Sequence, residues 1–363
     1  MRKRLGWLLR IGLTVLLFAL LFTRVVNLNE LWNEVRQANV AWLAVAWLAQ
    51  AAAVACSILR WDVLLKGQGI VVPFGHLTST FLVGRFFGTF LPSTIGLDAY
   101  RAYDIAARTG ETARSVAVIV VEKIIGFFAL CGMIVVTLPF GASFISTPVI
   151  VALLGLFALP VTLSFVLLLR PAALYRVLRL PFPAKPRLEP RLRKAIDAVS
   201  LYHNQPRRLW TAALLGVGVH LGAVMMYFCI AMSLNASVTL GQMLIAGPLI
   251  IASTVGLPTI GGEGARELSA IALLTSLVGG AKAFLIAHLG FWIGLSISLI
   301  GGVLYLLRPA NYRPEITMTS VDSTVDGRPE EHVPLQLPSS GVAGQVLEIS
   351  RTTAQPTAEG GTG

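Results

Sequence analysis

One short pattern occurs twice in this chain, about 165 residues apart, and each time it interrupts a long apolar run with proline and glycine. The first copy reads Leu91-Pro92-Ser93-Thr94-Ile95-Gly96-Leu97-Asp98-Ala99-Tyr100-Arg101, and the second Leu257-Pro258-Thr259-Ile260-Gly261-Gly262-Glu263-Gly264-Ala265-Arg266. With one residue skipped, both become Leu-Pro-Ser/Thr, Ile-Gly, then an acid followed three positions later by arginine. Paired broken helices at corresponding positions of two halves are the sequence mark of a substrate site in transporter-type membrane proteins. The pair is therefore the expected functional centre.

A membrane setting follows from the surrounding composition. The chain is 55% hydrophobic and only 13% charged, with a mean hydropathy of +0.74, so most of it belongs in lipid. Apolar stretches cover 5–22, 40–59, 75–95, 114–138, 148–169, 209–232, 241–258 and 281–307. Residues 314–363 lack apolar periodicity, are rich in Pro, Gly, Ser and Thr, and carry seven acids against two arginines. A transport domain over 1–310 and a disordered tail over 311–363 are the expected units. The first stretch follows Arg2-Lys3-Arg4 and ends at Thr23-Arg24 with no small-residue cleavage pattern, which predicts a retained span rather than a signal. Cys56, Cys131 and Cys229 have neither metal-ligand nor disulfide spacing and read as packing residues. No basic segment is organised as a groove-reading or base-stacking module, so nucleic acid is excluded as a partner.

Charge fixes the topology. Residues 170–208 hold ten Lys/Arg against Glu189 and Asp197, so this loop belongs in the cytoplasm with the basic N-terminus and with Arg308 and Arg313. If all eight stretches crossed, the loop would fall outside. Turning back 75–95 with 97–108, and 241–258 with 263–278, removes the conflict. The expected fold is an all-α polytopic membrane protein with six full spans and two re-entrant helical hairpins. Its inverted repeat halves cover about 1–140 and 148–310, and both termini are cytoplasmic. Backbone that turns at membrane depth must be buried in protein or line a polar cavity. Within the loop, Leu188, Leu192, Ile196, Val199 and Tyr202 share one face, as in a helix lying on an anionic leaflet.

Each hairpin bends just before a glycine and starts its second helix beside an acid. A helix N-terminus at that depth suits an anion such as phosphate. Asp98 and Glu263 are expected to cap these helices, with Arg101 and Arg266 one turn on offering fork geometry to phosphate oxygens. Ionisable residues at depth usually face the bundle interior and mark a pathway. The expected substrate-binding set is therefore Arg85, Pro92, Ser93, Gly96, Asp98, Arg101, Glu122, Lys123, Pro258, Gly262, Glu263 and Arg266. Glu267, Lys282 and His288 also lie at depth. His220 and His288 read as helix-packing histidines and Lys282 as a snorkelling side chain. Ser93 and Thr94 have no neighbouring base, and no metal or cofactor spacing is present, so neither catalytic residues nor a cofactor is predicted.

Residues Gly84 to Arg101 with Tyr103, then Glu122-Lys123-Ile124-Ile125-Gly126, then Pro258 to Glu267 with Gly301-Gly302 and Tyr305 resemble the lysylphosphatidylglycerol synthase transmembrane region. This family includes the lipid-flipping part of the bacterial multiple peptide resistance factor. The chain has Gly96-Leu97-Asp98 where the family commonly has Gly-Gly-Asp, and Glu122-Lys123 where Asp-Arg is common. The second departure exchanges a bidentate donor for a point charge. The resemblance implies a lipid-transport module without the aminoacyl-transfer domain. Three readings stay open: a flippase of a phospholipid, aminoacyl-lipid, glycolipid or polyprenyl-phosphate-linked lipid; a membrane-embedded glycosyl- or phosphoryl-transferase; and a scaffold for a lipid-modifying enzyme. In all three the membrane lipids are the expected partners.

Overall fold

The computed structural model describes residues 28–90, 95–141, 144–169, 197, 200–202, 204–256 and 262–307. They fall within one compact unit, Met1–Glu315; a second unit, Ile316–Gly363, lies outside them. Also outside are the first apolar stretch, the bends containing Pro92, Ser93 and Pro258, and the basic loop's predicted surface helix up to Val199.

The described residues are all-helical. In chain order they form α1 (Leu28–Arg36), α2 (Val40–Gly67), α3 (Phe74–Phe90), α4 (Ile95–Thr109), α5 (Thr112–Thr137), α6 (Thr147–Leu169), α7 (Pro206–Ser233), α8 (Leu240–Gly256), α9 (Ala265–Val278) and α10 (Gly280–Leu306). A short 3-10 turn, Leu138–Gly141, follows α5. Five elements are long and apolar enough to cross a bilayer: α2, α5 with its 3-10 turn, α6, α7 and α10. The 28 residues of α2 make a rod of about 42 Å at 1.5 Å per residue, longer than a hydrocarbon core of about 30 Å. The chain is a multi-pass membrane protein.

Two helix pairs do not reach that length. Helices α3 and α4 have 17 and 15 residues, and α8 and α9 have 17 and 14. The members of each pair pack on each other. Glycine sets the approach in the first pair: a Cβ at Gly88 would stand 3.0 Å from the Leu97 side chain.

Small residues set the approach of the long helices too, as is usual where lipid supplies no hydrophobic drive between helices. A Cβ on Gly222 of α7 would meet Ala53 of α2 at 2.8 Å, and one on Gly218 would meet the Cys56 sulfur at 3.2 Å. That contact gives Cys56 its packing role. On α10, a Cβ at Gly301 would collide with the Leu82 carbonyl of α3, and one at Gly302 would meet the Phe86 ring at 2.7 Å. Helix α10 also packs against α9, so it is shared by both short pairs. Helix α5 similarly touches α4 and α8. Helix α6 is peripheral, with Val151, Leu156 and Leu159 exposed, as expected of a lipid-facing surface.

The segment entering α7 is tied to the end of α2. The Tyr202 hydroxyl donates to the Leu64 carbonyl at 2.7 Å, and Gln205 Nε2 donates to the Gly67 carbonyl at 2.8 Å. Tyr202 is fully buried rather than lying on a membrane surface as the sequence suggested, and burial pushes its phenol above the ordinary tyrosine pKa. Tyr202→Phe is expected to cost about 1 kcal/mol of stability, the usual worth of one buried hydrogen bond. Thermal unfolding in detergent checks this.

Candidate functional site

Helix α4 carries Asp98, Arg101 and Asp104 at successive three-residue steps, and its neighbours hold each of them. Arg101 Nη1 donates to Glu122 Oε2 of α5 at 2.8 Å while Nη2 donates to Asp98 Oδ1 at 2.9 Å. Arg60 of α2 takes the other Glu122 oxygen at 3.0 Å, so one carboxylate is clamped between two guanidiniums. Lys123 Nζ lies 2.5 Å from Asp98 Oδ2 with its side chain half exposed. Arg101 sits 5.0 Å from the centroids of both the Trp61 and Phe81 rings, an arrangement favourable to a desolvated cation. Asp104 accepts from Thr80 at 2.5 Å and lies 2.8 Å from His76 Nε2, which links α4 to α3.

Among the described residues, Arg60, Arg101 and Lys123 stand against Asp98 and Glu122, while Asp104 is engaged by Thr80 and His76 one turn further along α4. Arg60, Arg101 and Glu122 are all buried, and each arginine keeps an Nε–H with no hydrogen-bond acceptor among the described residues. Two buried guanidiniums with unspent Nε donors, beside the half-exposed Lys123 ammonium, are chemically able to take an anion. Glycines make room for the Arg60 guanidinium: a Cβ at Gly126 of α5 or Gly216 of α7 would come within 3.3 or 3.4 Å of its Nη1.

The second cluster surrounds the start of α9. Gly262 and Gly264 have φ of 81° and 78°, a region where a side chain is strained, and they turn the chain into the helix. Arg266 pairs with Glu263 and lies 3.7 Å from Glu267 Oε1. The acid-to-arginine step of three residues therefore closes an ion pair in both copies of the motif. Glu267 Oε2 accepts the Gly264 N–H at 2.7 Å, and its Oε1 lies 3.6 Å from His288 Nδ1 of α10. Phe291 lies under Arg266, 5.5 Å from its guanidinium carbon. One cation here faces two carboxylates, the reverse of the first cluster.

The structure brings Asp98, Arg101, Glu122 and Lys123 together, and separately Glu263 and Arg266, with Gly262 at the second turn and Gly96 in the first turn of α4. Arg85 stands apart from both clusters. Its Nε donates to Ser298 Oγ at 3.1 Å and its Nη2 to the Gly294 carbonyl at 3.5 Å, both on α10. The expected capping is corrected at α9: Gly264 is the N-cap residue, and Glu267, not Glu263, takes its N–H because the Glu263 carboxylate is engaged by Arg266. Lys282 donates to the Asn235 carbonyl at 3.3 Å and lies 3.7 Å from Glu34, away from both clusters. His220 bonds the Gly126 carbonyl at 3.1 Å, a packing role.

Sequence reasoning passed over Arg60 and gave Glu267 and His288 no site role. Glu263, Glu267 and His288 offer ligand-type atoms within 4.8 Å of one another. Arg266 lies among them, however, and Trp292 Nε1 donates to His288 Nε2 at 3.1 Å. With that nitrogen accepting, the neutral ring carries its proton on Nδ1, so it turns an N–H rather than a lone pair toward Glu267. A pocket of about 400 Å³ lies elsewhere, lined by Thr137, Phe140, Phe144, Gln242 and their neighbours, none of them in either cluster.

Comparison with curated proteins gave no match. The family model described as the lysylphosphatidylglycerol synthase TM region matches residues 7–302 of the 363-residue chain, a range that includes both clusters and all five long apolar helices up to residue 302. On that coverage, the chain belongs to the lysylphosphatidylglycerol synthase TM region family.

Proposed function

We propose that this chain is a lipid transporter of a bacterial inner membrane, a flippase for lipids whose headgroup carries phosphate. Phospholipids, aminoacyl-phospholipids and polyprenyl-phosphate-linked lipids are the cargo classes, with a glycolipid among them where phosphate links its sugar. What carries the reading is the first cluster: Arg60, Arg101 and Lys123 outnumber Asp98 and Glu122, and two buried guanidiniums hold unspent donors. In lipid such a group is costly to keep, and an anionic headgroup balances it. Arg101 and Arg60 bind the phosphate in this account, while Asp98 and Glu122 hold the arginines when the site is empty.

The helix neighbours support an inverted repeat. Exchanging α2 with α7, α3 with α8, α4 with α9 and α5 with α10 turns the contact of α3 with α10 into that of α8 with α5. The same exchange turns α4 with α5 into α9 with α10, and α2 with α5 into α7 with α10. Each of those contacts is present. In this reading the two short pairs are re-entrant hairpins that gate the site from opposite sides, with both chain termini in the cytoplasm.

Translocation by purified protein in proteoliposomes tests the function. Movement of one headgroup class above that in empty liposomes, with the lipid recovered chemically unchanged, is expected; a changed lipid would indicate a transferase. Re-entrance has its own test in a background lacking Cys56, Cys131 and Cys229. Gly75→Cys and Thr112→Cys, at the open ends of α3/α4, are expected to react with an impermeant thiol reagent from one face. Gly241→Cys and Ser276→Cys should react from the other. If Gly75→Cys and Thr112→Cys labelled from opposite faces, α3 and α4 would form a broken span.

A further inference from the structure

The second cluster holds a buried oxygen that no described residue satisfies. Glu267 is wholly buried. Its Oε2 has the Gly264 N–H, but its Oε1 has no hydrogen-bond partner among the described residues; Arg266 and His288 stand off at 3.7 and 3.6 Å. Glu263 lies beside it, within the 4.8 Å that spans the carboxylate and imidazole atoms of the group. The groups facing this pair are few. Arg266 on α9 is the cation, Tyr227 on α7 lies next to Arg266, and His288 on α10 faces Glu267. The Trp292 Nε1–H donates to His288 Nε2, so the ring turns its Nδ1 side toward Glu267. Tyr227 is a neutral phenol at ordinary pH. Two carboxylates therefore share one guanidinium, with the His288 ring beside them, and one of the two, Glu267, is wholly buried.

A buried carboxylate without a partner relieves its desolvation by taking a proton, and two close carboxylates titrate as a unit. A metal ion would need a lone pair from His288, which instead presents N–H, and would stand against Arg266. A proton needs neither coordination shell nor cavity. We infer that Glu263 and Glu267 form a proton-binding site that holds one shared proton and exchanges it during the transport cycle, so that lipid movement is linked to a proton gradient. This rests on the flippase reading for its transport part, with the anion taken by the first hairpin and the proton by the second. The two sites meet through α10, since Arg85 of α3 bonds Gly294 and Ser298 and His288 lies six residues before Gly294, about 9 Å along the helix.

Two measurements test it, the first without any transport. Difference infrared spectroscopy of the purified protein in lipid nanodiscs, scanned over about pH 5 to 8, should show a protonated-carboxyl stretch that disappears in Glu267→Gln and in Glu263→Gln and persists in Asp98→Asn. Glutamine keeps the shape and an acceptor for the Gly264 N–H, and retained helicity confirms that the variants are folded. Absence of such a band across that range overturns the proton site. In proteoliposomes, an imposed pH gradient should speed wild-type translocation several-fold and leave Glu267→Gln unaffected. A wild type indifferent to gradients of either direction overturns the coupling while leaving the flippase intact. No translocation of any lipid sinks the flippase reading and the coupling with it, and the infrared band still decides whether the proton site exists.

Discussion

Glu122→Ala is expected to destabilise the protein by about 3–5 kcal/mol, the range found when one partner of a buried ion pair is removed. Glu122 has one carboxylate oxygen on Arg60 and the other on Arg101, at 3.0 and 2.8 Å. Removing it leaves two buried guanidiniums facing each other, with only Asp98 remaining for Arg101. Glu122→Gln should cost less, because the amide oxygen still accepts one hydrogen bond, yet it restores no charge. Adding Arg60→Met to Glu122→Ala should cost less than the sum of the two single changes, since the second removes the charge that the first stranded. Thermal unfolding in detergent measures all of these. A loss below about 1 kcal/mol for Glu122→Ala, the level of an exposed pair, would mean that water reaches the guanidiniums and that the cluster is not a buried one.

The second large effect is on transport. Arg101→Ala removes the guanidinium that bridges α4 to α5, and with it the donor set proposed for the phosphate. Charge-assisted hydrogen bonds are worth about 1.5–3 kcal/mol, which converts to a fall of roughly ten- to a hundred-fold in translocation rate at about 1.4 kcal/mol per factor of ten. Arg101→Lys keeps the charge but cannot hold Asp98 and Glu122 at once with a single ammonium, so its rate should fall between wild type and alanine. Equal rates for lysine and arginine would indicate that only charge matters at this position. Retained monodispersity and helicity in both variants separate the transport effect from misfolding.

Much of the helical order was legible in the sequence because lipid imposes a simple rule on it. Apolar runs at 40–59, 114–138, 148–169, 209–232 and 281–307 appear as α2, α5, α6, α7 and α10, each extended by a few residues or nearly matched. The run at 75–95 gives way to a new helix at Ile95, and that at 241–258 to one at Ala265, where proline and glycine make continuation unfavourable. The same local spacing carried the Asp98–Arg101 and Glu263–Arg266 pairs, since three residues is the distance at which helical side chains meet.

Long-range partners were not legible in the same way. Arg60 closes an apolar run and looks like an ordinary flanking charge, yet it reaches Glu122, 62 residues away. The only trace of this in the sequence is glycine at 126 and 216, which makes room for its guanidinium on two other helices. Arg85 looked like a site residue because it is charged and lies at depth. Its Nε and Nη2 donate to Ser298 and Gly294 on α10. His288 looked like a packing histidine, and its stacking on Phe284 at 5.1 Å agrees, but the ring also faces Glu267 through a tautomer set by Trp292. These roles depend on which helices become neighbours, and no single run of residues encodes that.

The most direct test of the central claim is headgroup-resolved lipid translocation in proteoliposomes, comparing wild type with the Arg101→Ala, Arg266→Ala double substitution. The lipids to compare are phosphatidylglycerol, aminoacylated, glycosylated and polyprenyl-phosphate-linked. The account predicts that wild type moves one phosphate-bearing class and that the folded double variant moves none above the level of empty liposomes. Undiminished movement by the double variant would contradict it, removing Arg101 as a phosphate donor and Arg266, the counter-charge of the second cluster, from the transport cycle.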